Sequence, residues 1–162
     1  MSSQIDDLVE VPTAGGRRTI PLAEITLPHE CPQPVRRYVL ARAPYFLGLE
    51  QDELSDIDRR MHTVNVAEGR MVYQAGEAAD ALYVVAEGRV KVSQAAADGT
   101  EIVTDILVPG EVFGAMGALG EPYHLQSASA LVGTCLLRID QDDFRQVLAE
   151  NSRVALRVLD DV

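Results

Sequence analysis

The chain has 162 residues, with 14 Lys and Arg against 25 Asp and Glu and a formal net charge of −11. That length buries roughly two thirds of the unfolded surface, enough for one domain without a metal or disulfide staple. The acidity excludes a polypeptide that grips nucleic acid or an anionic membrane by itself, because both need a basic footprint. Two cysteines and three histidines are too few for a disulfide framework or for most zinc modules. The N-terminus lacks the basic start and apolar run of a signal peptide, and no apolar stretch approaches the length of a membrane span. A cytoplasmic domain is expected.

In chain order, residues 1–30 carry Pro12, Pro21, Pro28 and the Gly15-Gly16 pair without a sustained period. They read as a mobile arm with one short strand over residues 19–22. Val35, Tyr38, Val39 and Arg42 then fall at helical spacing between Pro34 and Pro44. Leu54, Ile57 and Met61 mark a second short helix. Its other face, Gln51, Glu53, Asp56, Asp58 and Arg59, reads as solvated.

From residue 63 to 140 the pattern becomes short alternating runs punctuated by glycine. Strands are predicted over residues 63–66, 70–73, 81–85, 89–93, 101–108 and 135–140, with Asp98-Gly99 as a hairpin signal. Turn signals about every ten residues describe an antiparallel sandwich or barrel. Helices return with Phe144, Val147 and Leu148. A last amphipathic segment carries Val154, Val158 and Leu159, with Val162 one turn on. That stripe is expected to need a partner, since so short a helix is marginal alone.

Residues 108–120 stand apart, with Gly110, Gly114, Gly117 and Gly120 followed by Tyr123-His124-Leu125-Gln126-Ser127-Ala128. Such a segment permits a tight β-turn, or a short helix with exposed backbone N–H groups that could hold an anion. No nucleophile elbow, metal-ligand spacing or compact Ser/His/Asp set is present, so an enzyme is not expected.

The ordered set of Ala43-Pro44-Tyr45-Phe46-Leu47-Gly48-Leu49, Glu68-Gly69, Gln74-Ala75-Gly76-Glu77, Leu82 to Val92, Asp98-Gly99 and Gly110-Glu111-Val112-Phe113-Gly114 resembles the effector domain of the Crp/Fnr family of bacterial transcription regulators. The resemblance implies a mainly β fold with flanking helices, a double-stranded β-helix or jelly roll, over residues 31–150. It implies that residues 151–162 begin a dimerisation helix, giving a homodimer through residues 152–162. DNA would be bound only through a helix-turn-helix domain that is not in this chain. A small effector would occupy the cavity between the roll and residues 110–128, lined by Phe113, Gly114, Ala115, Met116, Gly117, Leu125, Gln126 and Ser127.

Members that bind a cyclic nucleotide carry a glutamate for the ribose and an arginine for the cyclic phosphate. Ala115 and Gln126 stand at those places here. A hydrogen bond to a charged group contributes ~1.5–3 kcal/mol, so losing both costs several. Cyclic AMP is therefore not the expected effector, and the cofactor is left unassigned. Haem-binding relatives place an axial histidine about where Met116 stands, making Met116 and His124 haem-ligand candidates by type; otherwise Met116 fills the pocket and His124 is a surface loop residue. In iron–sulfur relatives a fourth cysteine falls where Cys135 stands. With only Cys31 besides, two thiolates cannot supply four ligands, and a cluster is not expected. Cys31 and Cys135 could instead form a reversible redox pair. The alternatives to a ligand-responsive regulator domain are a haem-based gas sensor, a redox sensor, or a stand-alone interaction module.

Overall fold

The computed structural model describes residues 8–13, 16–21, 33–114 and 120–160. Strands β1 (Leu8–Thr13) and β2 (Gly16–Pro21) form an antiparallel hairpin, with Leu8 opposite Pro21 and Thr13 opposite Gly16. The short strand expected over residues 19–22 overlaps β2, and β1 was not foreseen. Pro12 and Pro21 mask the alternation in the linear sequence, yet a two-stranded ribbon is all edge and tolerates them.

Two four-stranded antiparallel sheets follow. One has the order β3 (His62–Val66), β10 (Thr134–Asp140), β5 (Ala81–Glu87), β8 (Val112–Phe113). The other has the order β4 (Met71–Tyr73), β9 (Ser127–Ala130), β6 (Val90–Ala95), β7 (Glu101–Leu107), and β1 lies against β7. The antiparallel strands are as the alternating runs required, and the roll with flanking helices is as the resemblance implied. The short strands β8 and β9 were not foreseen, because both lie at the ends of the glycine-rich segment where two to four residues carry no readable period.

The continuous apolar run of β5 has a simple cause. Leu82, Val84 and Ala86 face a core shared with the helices, while Ala81, Tyr83 and Val85 face the interior of the roll. A strand covered on both faces has no polar side to alternate with. On β10 the same split sends Cys135, Leu137 and Ile139 to the helices and Leu136 inward.

The helical layer consists of α1 (Gln33–Arg42), a 3-10 turn (Pro44–Phe46), α2 (Gln51–Arg59), α3 (Gln141–Glu150) and α4 (Ser152–Asp160). Reciprocal side-chain-to-backbone bonds between Glu50 and Glu53 cap α2. Val39, Leu40 and Ala43 of α1 enter the core, whereas Tyr38 is exposed under the guanidinium of Arg42, 4.4 Å from its ring centroid. Phe46 and Phe144 are wholly buried, a placement that stabilises by about 1.5–3 kcal/mol each. Asp58, expected on a solvated face, is instead buried against Arg36.

The last helix also departs from expectation. Val154 and Val158 do not form an outward stripe; both join the helical core. Two guanidinium groups explain the placement. Arg153 Nη1 donates to the carbonyl of Gly48 at 3.2 Å and Arg157 Nη1 to that of Pro44 at 3.2 Å, clipping α4 to the 3-10 turn and to the residues just after it. Leu156 and Leu159 remain on the exposed side, and Val162 lies outside the described residues. Among the described residues no helix is long and apolar enough to cross a membrane.

Candidate functional site

The glycine-rich segment is tied to β5 before its central part begins. Gly110 N–H donates to Val85 O at 2.8 Å, Val85 N–H donates to Glu111 O at 3.0 Å, and Phe113 pairs with Tyr83 across β8 and β5. Gly114 then turns with φ +80°. A Cβ there would lie 3.0 Å from Ala81 O and 3.3 Å from Tyr83 Cδ2, so the position needs glycine for both conformation and space. Ala115, Met116 and Gly117 lie outside the described residues.

The returning strand of chain is anchored to the turn between β4 and β5. Ala79 N–H donates to Pro122 O at 3.0 Å, His124 N–H to Glu77 O at 2.9 Å, and Gly76 N–H to His124 O at 2.8 Å. This carries His124 inward, to 9% exposure. The surface-loop expectation for His124 is thereby corrected: its backbone is paired on both sides, and the side chain is buried against Tyr73. Its imidazole lies flat on the ring of Tyr73, with centroids 3.5 Å apart and planes 5° from parallel. Tyr73 in turn packs against Tyr83 and Phe113 at 6.0 and 6.1 Å, and those two stack at 5.1 Å.

Burial sets the titration of this cluster. Desolvation, helped by Tyr83, pushes the Tyr73 hydroxyl far above its ordinary range, so it stays protonated. Desolvation lowers the pKa of His124, opposed by the nearby carboxylates of Asp80 and Glu77. The imidazole is neutral at pH 7. Among the described residues the ring contact of this haem-ligand candidate is the flat stack on Tyr73. Among the described residues no cluster of three His, Cys, Asp or Glu could hold a metal ion.

The remaining predicted residues divide. Leu125 points to solvent and does not join the cluster. Gln126 Nε2 donates to Thr104 Oγ1 at 3.1 Å, and that hydroxyl reaches Val92 O at 3.2 Å, so the amide bridges the start of β9 to β7 across β6. Ser127 Oγ accepts from Ala75 N–H at 3.0 Å. A cavity of about 510 Å³ beside Ser127 is lined by Ser93, Ser129, Lys91 and Glu101, and the Lys91 ammonium is held by the Glu101 carboxylate at 2.6 Å. Phe113, Gly114 and His124 thus come together, joined by Tyr73 and Tyr83, which sequence reasoning missed. Both tyrosines occupy inward positions of ordinary strands, and nothing in their spacing distinguishes a binding surface from core.

Residues 63–151 match the family model of the cyclic nucleotide-binding domain. A Mycobacterium tuberculosis protein named CRP-like cAMP-activated global transcriptional regulator is 27% identical over 121 residues, covering 75% of this chain and 54% of that protein. The cyclic AMP receptor protein of Thermus thermophilus is 32% identical over 117 residues, covering 70% and 52%. The chain spans about half the length of these curated relatives. Among solved structures, the sensor domain of the transcriptional regulator DNR from Pseudomonas aeruginosa is similar with a TM-score of 0.71 at 26% identity, covering 80% of this chain and 87% of that one.

Proposed function

The chain belongs to the cyclic nucleotide-binding domain family, with Crp-type transcription regulators among its relatives, and on that premise we propose that it is the sensor domain of a Crp/Fnr-like regulator that does not respond to cyclic AMP. The observation that carries this reading is the bridge from Gln126 to Thr104. At the place where a phosphate would need a guanidinium, the chain offers a neutral amide already engaged by Thr104 of β7. A neutral hydrogen bond is about half as strong as a charge-assisted one, and breaking the bridge adds to the deficit. The domain itself is non-catalytic in this reading. DNA is contacted through a helix-turn-helix outside these 162 residues, and two copies associate through the outward side of α4 at Leu156 and Leu159.

Isothermal titration of the chain with cyclic AMP and cyclic GMP tests the reading. No binding tighter than about 10 μM is expected, a limit of roughly −7 kcal/mol. A dissociation constant below that limit removes the argument from Gln126.

A second reading, redox sensing, is favoured by one observation: Cys135 is disulfide-bonded. The chain holds one other cysteine, Cys31, which lies outside the described residues. In this reading a peroxide takes two electrons and two protons from the thiols of Cys31 and Cys135, is itself reduced to water, and a dithiol reverses the bond by exchange. Mass spectrometry under non-reducing conditions is expected to show a two-proton deficit, restored by dithiothreitol and absent in Cys31→Ser. Two freely alkylated thiols after mild peroxide treatment end the redox reading and leave the first intact.

A further inference from the structure

The stack of His124 on Tyr73 is a near-parallel sandwich at van der Waals separation, an arrangement that aromatic side chains ordinarily avoid in favour of offset or edge-on contacts. The ring nitrogens of His124 form no hydrogen bond with a described residue. The backbone of the same residue is fixed on both sides, to Glu77 and Gly76. Among the described residues the imidazole is therefore held by stacking and burial, and side-chain rotation can move it while the chain stays in place.

The surface beneath it is rigid. Tyr73 lies on β4 opposite Ala128, inside the roll, wedged by Tyr83 and Phe113. The charged groups that act on His124 are the carboxylates of Asp80 and Glu77, Asp80 lying 3.6 Å from the Arg138 guanidinium, which also meets Tyr83, and Gln126 contributes no charge. An anionic ligand meets repulsion here; a neutral or cationic ring does not. The occupant already present, a planar five-membered nitrogen heterocycle, shows what shape the platform accepts.

We propose that the face of Tyr73 is a binding platform for a planar, uncharged or cationic nitrogen heterocycle, and that His124 is its resident occupant, displaced when such a ligand arrives. This rests on the sensor reading and names the chemical class of its effector. Displacement also carries a signal: His124 Cε1 lies close to where a Cβ of Gly114 would stand, at 3.8 Å, so moving the ring frees space beside the glycine-rich segment.

The test uses the 162-residue chain and benzimidazole at about pH 8, where both the probe and His124 are neutral. Ligand-observed NMR gives the affinity, and circular dichroism reports the fold. His124→Gly is expected to bind benzimidazole at least about tenfold more tightly than the wild type, and added imidazole is expected to raise its melting temperature by mass action. Adding Tyr73→Leu is expected to abolish both effects. Equal affinity in the wild type, His124→Gly and the double variant overturns the proposal. Should His124→Gly not fold, His124→Ala takes its place. Should neither fold, the wild-type spectrum decides: benzimidazole-induced shifts centred on Tyr73 and His124 support the platform, and their absence at millimolar probe overturns it. Failure here leaves the regulator reading standing, since that reading is decided separately by titration with cyclic AMP and cyclic GMP.

Discussion

Gly88→Ala is expected to cost about 3–5 kcal/mol and to leave the chain at the edge of unfolding, whereas Gly99→Ala costs about 1–2 kcal/mol. Both glycines have a positive φ, +96° and +87°. Each therefore suffers the left-handed penalty of about 1–2 kcal/mol when a Cβ is added. The difference is space. A Cβ at Gly99 meets nothing within 4 Å, but at Gly88 it would lie 2.5 Å from Thr134 Oγ1, 2.7 Å from Thr134 Cα and 2.8 Å from Gly133 O. Two of those three atoms are backbone and cannot rotate away. Thr134 is itself pinned: its hydroxyl lies 2.7 Å from Val132 O and 3.1 Å from Arg89 O, and accepts from Arg89 N–H at 3.2 Å. The clash falls where the turn after β5 crosses the start of β10, so relief requires separating two central strands. Domain stabilities of about 5–15 kcal/mol leave little margin for such a loss. Urea unfolding followed by circular dichroism decides it; equal losses for the two variants would show that backbone conformation alone sets the cost.

Arg36→Met is expected to be nearly as severe, at about 3–5 kcal/mol, and Asp58→Ala much milder, at about 1–2 kcal/mol. Arg36 Nη2 stands 3.1 Å from Asp58 Oδ1 and also donates to the carbonyls of Asp58 at 3.0 Å and Met61 at 3.1 Å. One guanidinium thus neutralises a buried carboxylate and caps the C-terminal end of α2, where carbonyls lack helical partners and the helix dipole favours a cation. Removing it strands a carboxylate whose side chain is only 6% exposed. Asp58→Ala leaves a guanidinium that is 20% exposed, can reach water and keeps both carbonyl bonds. Arg36→Met with Asp58→Leu is expected to recover most of the loss, because an apolar pair of similar volume carries no desolvation cost. A double-mutant cycle read by thermal unfolding measures the coupling. Equal costs for the two single variants would contradict the asymmetry, and with it the capping role of Arg36.

The sequence by itself determined the roll and the identity of its turns. Period-two runs and glycines that must adopt positive φ are local constraints, and Gly69, Gly76, Gly88, Gly99 and Gly110 all adopt it where turns were expected. Tertiary structure alone decided three matters. Asp58 is buried because α1 brings Arg36 across to it, and a charge pattern along one helix cannot report a partner 22 residues away. Val154 and Val158 turn inward as Arg153 and Arg157 find the carbonyls of Gly48 and Pro44 more than a hundred residues earlier; an amphipathic stripe states that a face must be covered, not by what. The stack of His124 on Tyr73 exists because three backbone bonds fold residues 122–124 back over the turn at 76–79. Backbone amides are the same at every residue, so such pairing leaves no trace in side-chain order, and a surface loop and a buried aromatic site read alike until the chain is folded.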